Sequence, residues 1–98
     1  MPNPHSFISP ELRGEYHLLL FASLKDAAGA GEIVVAAPAA CSVQELLHAC
    51  GEQFPVLAPW LPHVRVAVNC EYADGMQAVA PQDEIAVLPP VAGGQSTL

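Results

Sequence analysis

The sequence predicts an α+β fold in which one main helix packs across a mixed sheet of four to five strands. Three observations lead to this prediction: two apolar segments arranged as a hairpin come first, one capped amphipathic segment follows, and short β-rich segments complete the chain. The 98 residues suffice for one domain, because two domains of half this length would each be too small to bury a core.

The predicted hairpin consists of two apolar runs that flank a turn with two glycines. Residues 16–24 are nearly all apolar, which is typical of a central strand buried on both faces. The turn is expected over residues 25–31 and the second strand over residues 32–36. Residues 1–15 contain three prolines and little apolar periodicity, so we expect a loose N-terminal extension.

The main helix is predicted from a capping box and one apolar stripe. Ser42 and Glu45 have the spacing at which a serine hydroxyl and a glutamate carboxylate cap the same helix start. Pro55 is expected to end the helix, since proline lacks the N–H that the next turn needs. The apolar side chains that recur at helical spacing are Val43, Leu46, Leu47, Cys50 and Phe54.

The second half of the domain is expected to add short strands. Alternating valines predict a third strand over residues 64–69, and a tight turn at residues 81–83 leads into a last strand over residues 84–88. Residues 78–79 are expected to form a short extended piece. The most economical arrangement places the first and last strands side by side at the centre of the sheet. This order is that of the β-grasp, or ubiquitin-like, fold.

The segment after the last strand carries the most specific pattern in the chain. Pro89–Pro90 cannot continue a strand ladder through their nitrogens, and Gly93–Gly94 follow shortly afterwards. Because glycine lacks a Cβ atom, a carboxylate carried on two glycines can enter a narrow enzyme channel. We therefore expect residues 16–90 to form the domain and residues 91–98 to form a flexible tail.

With this domain order, the sequence resembles the ThiS/MoaD sulfur-carrier family, which includes the small subunits of molybdopterin synthase. The resemblance runs from about residue 16 to residue 94 and is weakest between residues 55 and 64. The matching segments are residues 18–22, Gly29, residues 42–47, residues 68–69 with 71–72 and, most specifically, residues 83–94.

The resemblance implies that the Gly94 carboxylate is the working group and that Gly93 is its slim neighbour. An ATP-using enzyme related to the ubiquitin-activating enzymes would adenylate this carboxylate, and the adenylate would become a thiocarboxylate. The chain would then be a carrier and not an enzyme. It would donate sulfur for molybdenum cofactor biosynthesis inside the large subunit of molybdopterin synthase, where the catalytic residues are expected.

The resemblance also implies where partners bind. The exposed sheet face near the last strand should contact them, and no permanently bound cofactor is expected, since ATP is used by the activating partner. The residues expected at the partner contact are Leu88, Pro89, Pro90, Val91 and Ala92.

The four residues from Gln95 to Leu98 depart from the family pattern, which ends at the second glycine. While they are present, Gly94 has an amide where the chemistry needs a carboxylate. Some carrier relatives are made with a tail that a metallopeptidase removes. The resemblance therefore implies a precursor form, the removal of Gln95 to Leu98, and a tail-processing peptidase.

Two alternatives remain open from the sequence. The chain can be a sulfur carrier for another pathway, such as the synthesis of thiamin, cysteine or a sulfur-containing metabolite. It can also be a ubiquitin-like protein modifier or binding module without sulfur chemistry, because a Gly-Gly ending serves both carriers and modifiers.

The composition indicates which kinds of partner and which cellular location to expect. Ten acidic residues against three basic ones give a formal net charge of −7, so a nucleic-acid partner is not expected and a basic protein surface is favoured. No apolar run reaches the ~18 residues of a membrane span, and no membrane partner is expected. Three cysteines without paired spacing form no disulfide framework, which predicts a reducing, cytoplasmic location.

The individual cysteines are interpreted as packing residues and not as ligands. Cys50 lies on the apolar helix stripe and should be buried, and Cys41 is also expected to pack. Cys70 follows a strand and is assigned no role. Because neither cysteines nor histidines have metal-ligand spacing, no metal site is expected.

Overall fold

A computed structural model describes residues 13–90 of the chain. The element order matches the predicted sequence of hairpin, helix and further strands, and the fold is an α+β β-grasp. In chain order the elements are β1 (Arg13–Leu20), α1 (Ala22–Ala28), β2 (Glu32–Pro38), β3 (Cys41–Ser42), α2 (Val43–Gln53), two 3₁₀ turns (Pro55–Leu57 and Leu61–His63), β4 (Arg65–Val68), β5 (Glu71–Ala73), β6 (Ala78–Val79) and β7 (Ile85–Leu88).

The main sheet contains five strands in the order β2-β1-β7-β4-β5. β1 and β7 pair in parallel, with Leu18 opposite Ile85, and the other neighbouring pairs are antiparallel. The predicted adjacency of the hairpin's first strand and the last strand is confirmed. β3 and β6 form a separate two-stranded ladder.

β1 differs from the sequence prediction in its bounds and in its burial. It begins at Arg13, within the expected extension, and ends at Leu20 and not at residue 24. Burial alternates along the strand, so that Leu18 is fully buried while Leu19 is only half-buried. The apolar run does not mark a strand covered on both faces, because some of its side chains lie on a face without a helix.

A short helix, α1, occupies much of the segment that the sequence predicts to be a simple turn over residues 25–31. It ends at Gly29, which has a φ of 76° and donates its N–H to the Lys25 carbonyl at 2.9 Å. The left-handed conformation at a helix end favours glycine, since any Cβ would be strained there. The prediction is wrong because Gly29 is a helix cap and not part of an open turn.

The prediction of α2 is confirmed in its start, its end and its buried stripe. Ser42 Oγ accepts from the Glu45 N–H at 3.1 Å, and Glu45 Oε1 accepts from the Ser42 N–H at 2.8 Å. The helix ends at Gln53, before Pro55. Of the helices in residues 13–90, none is long and apolar enough to cross a membrane. The stripe contains buried Val43, Leu46 and Cys50 and half-buried Leu47 and Phe54.

The core lies between α2 and one face of the main sheet, which we call the inner face. The Tyr16 hydroxyl donates to the Pro38 carbonyl at 2.6 Å and accepts from the Cys41 thiol at 3.6 Å. Burial, reinforced by the contact with the thiol, raises the pKa of Tyr16 well above its usual value. The largest fully buried side chains are Tyr16, Leu18, Leu24, Leu46, Leu57, Ile85, Val35, Val87 and Cys50.

A two-residue turn at Asn69 and Cys70 joins β4 to β5, a strand that the sequence analysis missed because it is only three residues long. Both turn residues have positive φ, 52° and 73°, as in a type I′ turn. The Asn69 side chain donates to Asp83 Oδ1 at 3.1 Å and accepts from the Glu84 N–H at 2.9 Å. The turn is thereby fastened to the start of β7.

Candidate functional site

The candidate site begins where β7 ends. Leu88 is the last residue of this central strand, is half-buried, and lies opposite Arg65 of β4. Pro89 is half-buried and Pro90 is exposed, and neither has an N–H that could extend the ladder. The chain therefore leaves the sheet between two paired neighbours, at its centre and not at an edge.

The two residues predicted to carry the chemistry, Gly93 and Gly94, lie outside the described residues. The same holds for Val91 and Ala92 of the predicted partner contact, so the roles of all four stay predictions. The structure describes the surface from which they depart, which includes Leu88, Pro89 and Pro90.

The segment predicted to be removed, from Gln95 to Leu98, also lies outside the described residues. Its cleavage was inferred from the family pattern alone, in which the chain ends at the second glycine. The removal of Gln95 to Leu98, which would free the Gly94 carboxylate, therefore stays a prediction.

The face of the main sheet opposite the inner face, which we call the outer face, borders this strand end. A row of successive Cα partners crosses it, namely Leu19, Ala86, Ala67 and Tyr72. The first three are half-buried, whereas Tyr72 is 65% exposed. Phe21, next to the end of β1, is 45% exposed. An apolar surface that remains accessible on a small domain is typical of a protein contact site.

A shallow depression of about 250 Å³ lies in this surface at the end of β7. Its lining combines two alanines with larger side chains. The sheet face and Leu88 were predicted from the sequence, whereas the other lining residues were not. Strand alternation could have identified the lining residues that lie on strands, because the residues next to a buried position face the other side of the sheet. The depression is lined by Phe21, Ala67, Cys70, Tyr72, Ala86 and Leu88.

Two polar contacts lie on the outer face. The Arg65 guanidinium stacks over the Tyr72 ring, with 4.2 Å from Cζ to the ring centroid. His17 Nδ1 and Glu32 Oε2 are 2.7 Å apart on neighbouring strands β1 and β2. The outer face thus combines an apolar centre with charges near its margins.

A larger groove of about 400 Å³ lies elsewhere, between α2 and the 3₁₀ turns. Leu47, Gly51 and Leu61 are among the residues that line it. None of its lining residues belongs to the main sheet or to the end of β7. We assign the candidate site to the outer face, because the predicted working segment departs there.

The prediction that Cys41 and Cys50 are packing residues is confirmed. Cys41 and Cys50 are buried, and burial raises the pKa of the Cys50 thiol to about 11. Cys70 is exposed, and its thiol donates to Glu84 Oε1 at 3.7 Å. Within residues 13–90 there is no group of three His, Cys, Asp or Glu side chains that could hold a metal ion.

The fold and the strand end together define a class: a β-grasp domain whose C-terminal segment leaves from the centre of the sheet. The chain matches the model of the ThiS family over residues 18–94. This match covers most of the chain and includes both glycines at positions 93 and 94. The chain belongs to the ThiS family.

Similarities to individual proteins are consistent with membership of this family. The chain is 31% identical, over 80 residues, to the molybdopterin synthase sulfur carrier subunit of Arabidopsis thaliana, and the match covers 82% of this chain and 83% of that protein. The structure is similar to that of small archaeal modifier protein 1 from Haloferax volcanii, with a TM-score of 0.71, 29% identity, and coverage of 80% of this chain and 99% of that one.

A third similarity concerns the fold alone. One chain in the solved protein–protein complex of subunits 1 and 2 of molybdopterin-converting factor from Helicobacter pylori has a TM-score of 0.56 at 23% identity. The similarity covers 82% of this chain and 99% of that chain.

Proposed function

We propose that this chain is a sulfur carrier that is adenylated and then converted to a thiocarboxylate at Gly94. The observation that carries the proposal is the family match, which spans the domain and includes Gly94. The end of β7 supports it, because Pro89 and Pro90 prevent the segment that follows from continuing the sheet. A carrier needs its terminal group free to reach into other proteins.

The proposed chemistry overcomes the low reactivity of a carboxylate. In the first step an oxygen of the Gly94 carboxylate attacks the α-phosphorus of ATP, and pyrophosphate leaves. In the second step hydrosulfide, as the sulfur donor, attacks the acyl carbon, so that a C–S bond forms while the C–O bond to AMP breaks, and loss of the remaining S–H proton leaves the thiocarboxylate. AMP is a much better leaving group than oxide. Gly93 contributes by having no side chain that would obstruct an enzyme channel. In this proposal the catalytic groups for both steps belong to the partner proteins.

The proposed pathway is molybdenum cofactor biosynthesis, with the large subunit of molybdopterin synthase as the protein that receives the tail. The name of the Arabidopsis relative supports this pathway. The Helicobacter complex supports a two-subunit arrangement, since a protein of the same fold is found there with a second subunit. We propose that Leu88, Pro89, Pro90, Val91 and Ala92 contact the large subunit together with the outer face, and that this takes place in the cytoplasm.

The intact mass of the protein isolated from its native cell tests the carrier function. A fraction of the chain should end at Gly94 with the mass increase of one oxygen replaced by sulfur. Gly94→Ala should abolish this species and leave thermal unfolding unchanged. A native protein that never carries the sulfur under sulfur-replete growth would contradict the proposal.

A protein modifier is the second candidate function, and the similarity to small archaeal modifier protein 1 favours it. A modifier would form an isopeptide bond between Gly94 and lysines of other proteins. Tryptic digests of the native proteome distinguish the two functions, because conjugation leaves residues 66–94, which follow the last trypsin site at Arg65, attached to the modified lysine. Thiocarboxylate without conjugates indicates a carrier, and thiocarboxylate found only when another pathway is active indicates a carrier for that pathway.

The residues from Gln95 to Leu98, which follow Gly94 in this sequence, imply a processing step. Adenylation needs a free carboxylate at Gly94, which a peptidase would create by cleaving between Gly94 and Gln95. ATP–pyrophosphate exchange with the activating enzyme of the source organism compares the chain as written with one that ends at Gly94. Exchange confined to the shortened chain is expected. Equal exchange by both would show that no cleavage is needed.

A further inference from the structure

Arg65 occupies a distinctive position at the end of β7. It is the first residue of β4, and its Cα partner is Leu88, the last strand residue before Pro89. Strand alternation places it on the outer face, because Val66 and Val68 on the same strand are buried in the core. Arg65 is therefore the cation nearest in the sheet to the strand end from which the tail departs.

Among residues 13–90, the side chain that holds Arg65 in place is an aromatic ring and not an acid. Its guanidinium lies 4.2 Å from the centroid of the Tyr72 ring. Within residues 13–90 the close contacts between a basic and an acidic side chain are His17–Glu32 and His48–Glu52, and neither involves Arg65. A stacked guanidinium is pre-oriented, while its five N–H donors remain able to bind a carboxylate in a two-point contact.

The surroundings of Arg65 contrast with the charge of the whole chain. The formal net charge is −7, and the other two cations of the sequence are Arg13 and Lys25. Arg13 is the first residue of β1 and lies at the end of the sheet away from the end of β7, and Lys25 is on α1. The acidic net charge predicts a partner that is basic overall, but at the end of β7 the outer face presents a positive charge beside an apolar depression.

We infer that Arg65 and the adjacent depression form a docking site for the protein that adenylates the tail, and that this partner supplies a carboxylate to Arg65 beside an apolar side chain that enters the depression. The inference rests on the proposed function and names the partner chemistry at its surface. It adds to that function a residue that discriminates between partners, since a partner with a cation at this point would be repelled.

The reach of the tail argues that Arg65 contacts the partner's surface and not the reacting groups. Gly94 is the sixth residue after Leu88. Drawn out into an active site, they place the Gly94 carboxyl about 20 Å from the strand end. Arg65, at the strand end, is too far away to touch ATP there. Removing its side chain should therefore weaken docking and leave the chemical step intact.

A matched pair of variants tests the inference in the chain that ends at Gly94. Arg65→Ala and Arg13→Ala change the net charge equally, and both replace an exposed arginine on a strand of the same sheet. The readout is ATP–pyrophosphate exchange with the activating enzyme of the source organism, as a function of carrier concentration. Arg65→Ala should raise KM about tenfold with kcat within about twofold, whereas Arg13→Ala should behave like the wild type.

Two further variants separate charge from orientation. Arg65→Lys retains the charge without the planar fork and should raise KM less than Arg65→Ala does. Tyr72→Leu removes the ring that orients the guanidinium and should raise KM by an intermediate amount. The effect of Arg65→Ala should also shrink at high salt, because the wild-type contact is weakened by screening.

The outcomes distinguish this inference from the proposed function. If the wild-type chain ending at Gly94 supports no exchange, the proposed function fails and the inference fails with it. If the wild type is active and Arg65→Ala has the same KM as Arg13→Ala, the inference alone is overturned. A fall in kcat at unchanged KM would also overturn it, because such a fall would assign Arg65 to the chemical step.

Discussion

The inner and outer faces of the sheet are formed by alternate residues of the same strands, yet they differ in how their side chains pack. On the inner face, Leu18, Ile85 and Val87 are at most 1% exposed. Their outer-face neighbours Leu19 and Ala86 are only half-buried. The comparison shows how one short strand can serve two purposes, because its inner residues stabilise the domain while its outer residues remain available to another protein.

The difference in side-chain size explains the shape of each face. Inner residues are large and fill the space under α2 at the close packing that cores require. The middle of the outer face holds two alanines, Ala67 and Ala86, beside the larger Leu88 and Tyr72. Small residues between large ones leave a depression that a partner side chain can fill. Burial of this apolar surface against a partner would release free energy that the isolated domain does not gain.

The largest predicted effect separates the two faces at adjacent residues of one strand. Leu18→Ala should lower the free energy of unfolding by about 2–5 kcal/mol, because it leaves a cavity in the core. Leu19→Ala should lower it by less than about 1.5 kcal/mol, because that side chain is already partly in solvent. Urea denaturation of the two variants gives both values. Equal losses would show that the outer face contributes to the fold as much as the inner face does.

The next effect concerns the contact that fixes the β4–β5 turn to β7 and so sets the outline of the depression. Asn69→Gly keeps the positive φ and removes the hydrogen bonds to Asp83 and Glu84, which should cost about 1–2 kcal/mol. Asn69→Ala should cost about 1 kcal/mol more, because alanine is strained at a φ of 52°.

Thermal or chemical unfolding of these two Asn69 variants provides the measurement. A smaller cost for alanine than for glycine would mean that the backbone of the turn relaxes out of its left-handed conformation. In that case the hydrogen bonds, and not the φ angle, would determine the choice of asparagine.

The sequence predicted those parts of the fold whose signals are local. The capping box at Ser42 and Glu45 fixes where α2 starts, and Pro55 prevents its continuation, so both ends of the helix could be predicted. The adjacency of the hairpin and β7 followed from the element order, because one helix must cover one small sheet. α1 could not be predicted by periodicity, since its seven residues contain a single fully buried side chain, Leu24.

The candidate site was predicted less completely than the fold. The apolar run in β1 hid the alternation, because Leu18 and Leu19 are identical in type and differ only in the face on which they lie. Arg65 and Tyr72 are seven residues apart, and only the pairing of β4 with β5 brings them together. A sequence pattern without strand register contains no information about such a contact. The tail over residues 91–98 had a strong sequence signal but lies outside the described residues.

A pH-dependent prediction concerns the thiol on the helix that packs on the inner face. The pKa of Cys50 rises from 9.0 to about 11 on folding because burial disfavours the thiolate. Below pH 9 both the folded and the unfolded chain keep the proton. Between pH 9 and 11 the unfolded chain loses it first, so the free energy of unfolding should fall by about 1–2 kcal/mol in this window.

Cys50→Ala is the control for this pH dependence. The variant should be less stable than the wild type at pH 8, because a buried group is removed, but the difference should narrow as the pH rises to 11. Tyr16 also has a raised pKa, but it is present in both proteins and its contribution cancels. Parallel stability curves across this pH range would show that the Cys50 thiol ionises equally easily in both states.

The smallest predicted effect, and a stabilising one, concerns Cys70 at the margin of the outer face. The second central position of a type I′ turn favours glycine, and Cys70 holds a φ of 73° there at a cost that glycine does not have. Cys70→Gly should therefore raise the free energy of unfolding by about 0.5–1 kcal/mol, reduced by the greater flexibility of glycine in the unfolded chain. Cys70→Ala removes the same thiol without relieving the backbone, so it should not stabilise the domain.

Urea denaturation of both Cys70 variants isolates the backbone contribution, since each variant also loses the thiol contact with Glu84. Equal stability of the two would show that the turn conformation carries no strain. A stabilised Cys70→Gly protein whose KM in the exchange reaction is raised would show that the outer face keeps a less stable residue for the sake of its contact with a partner.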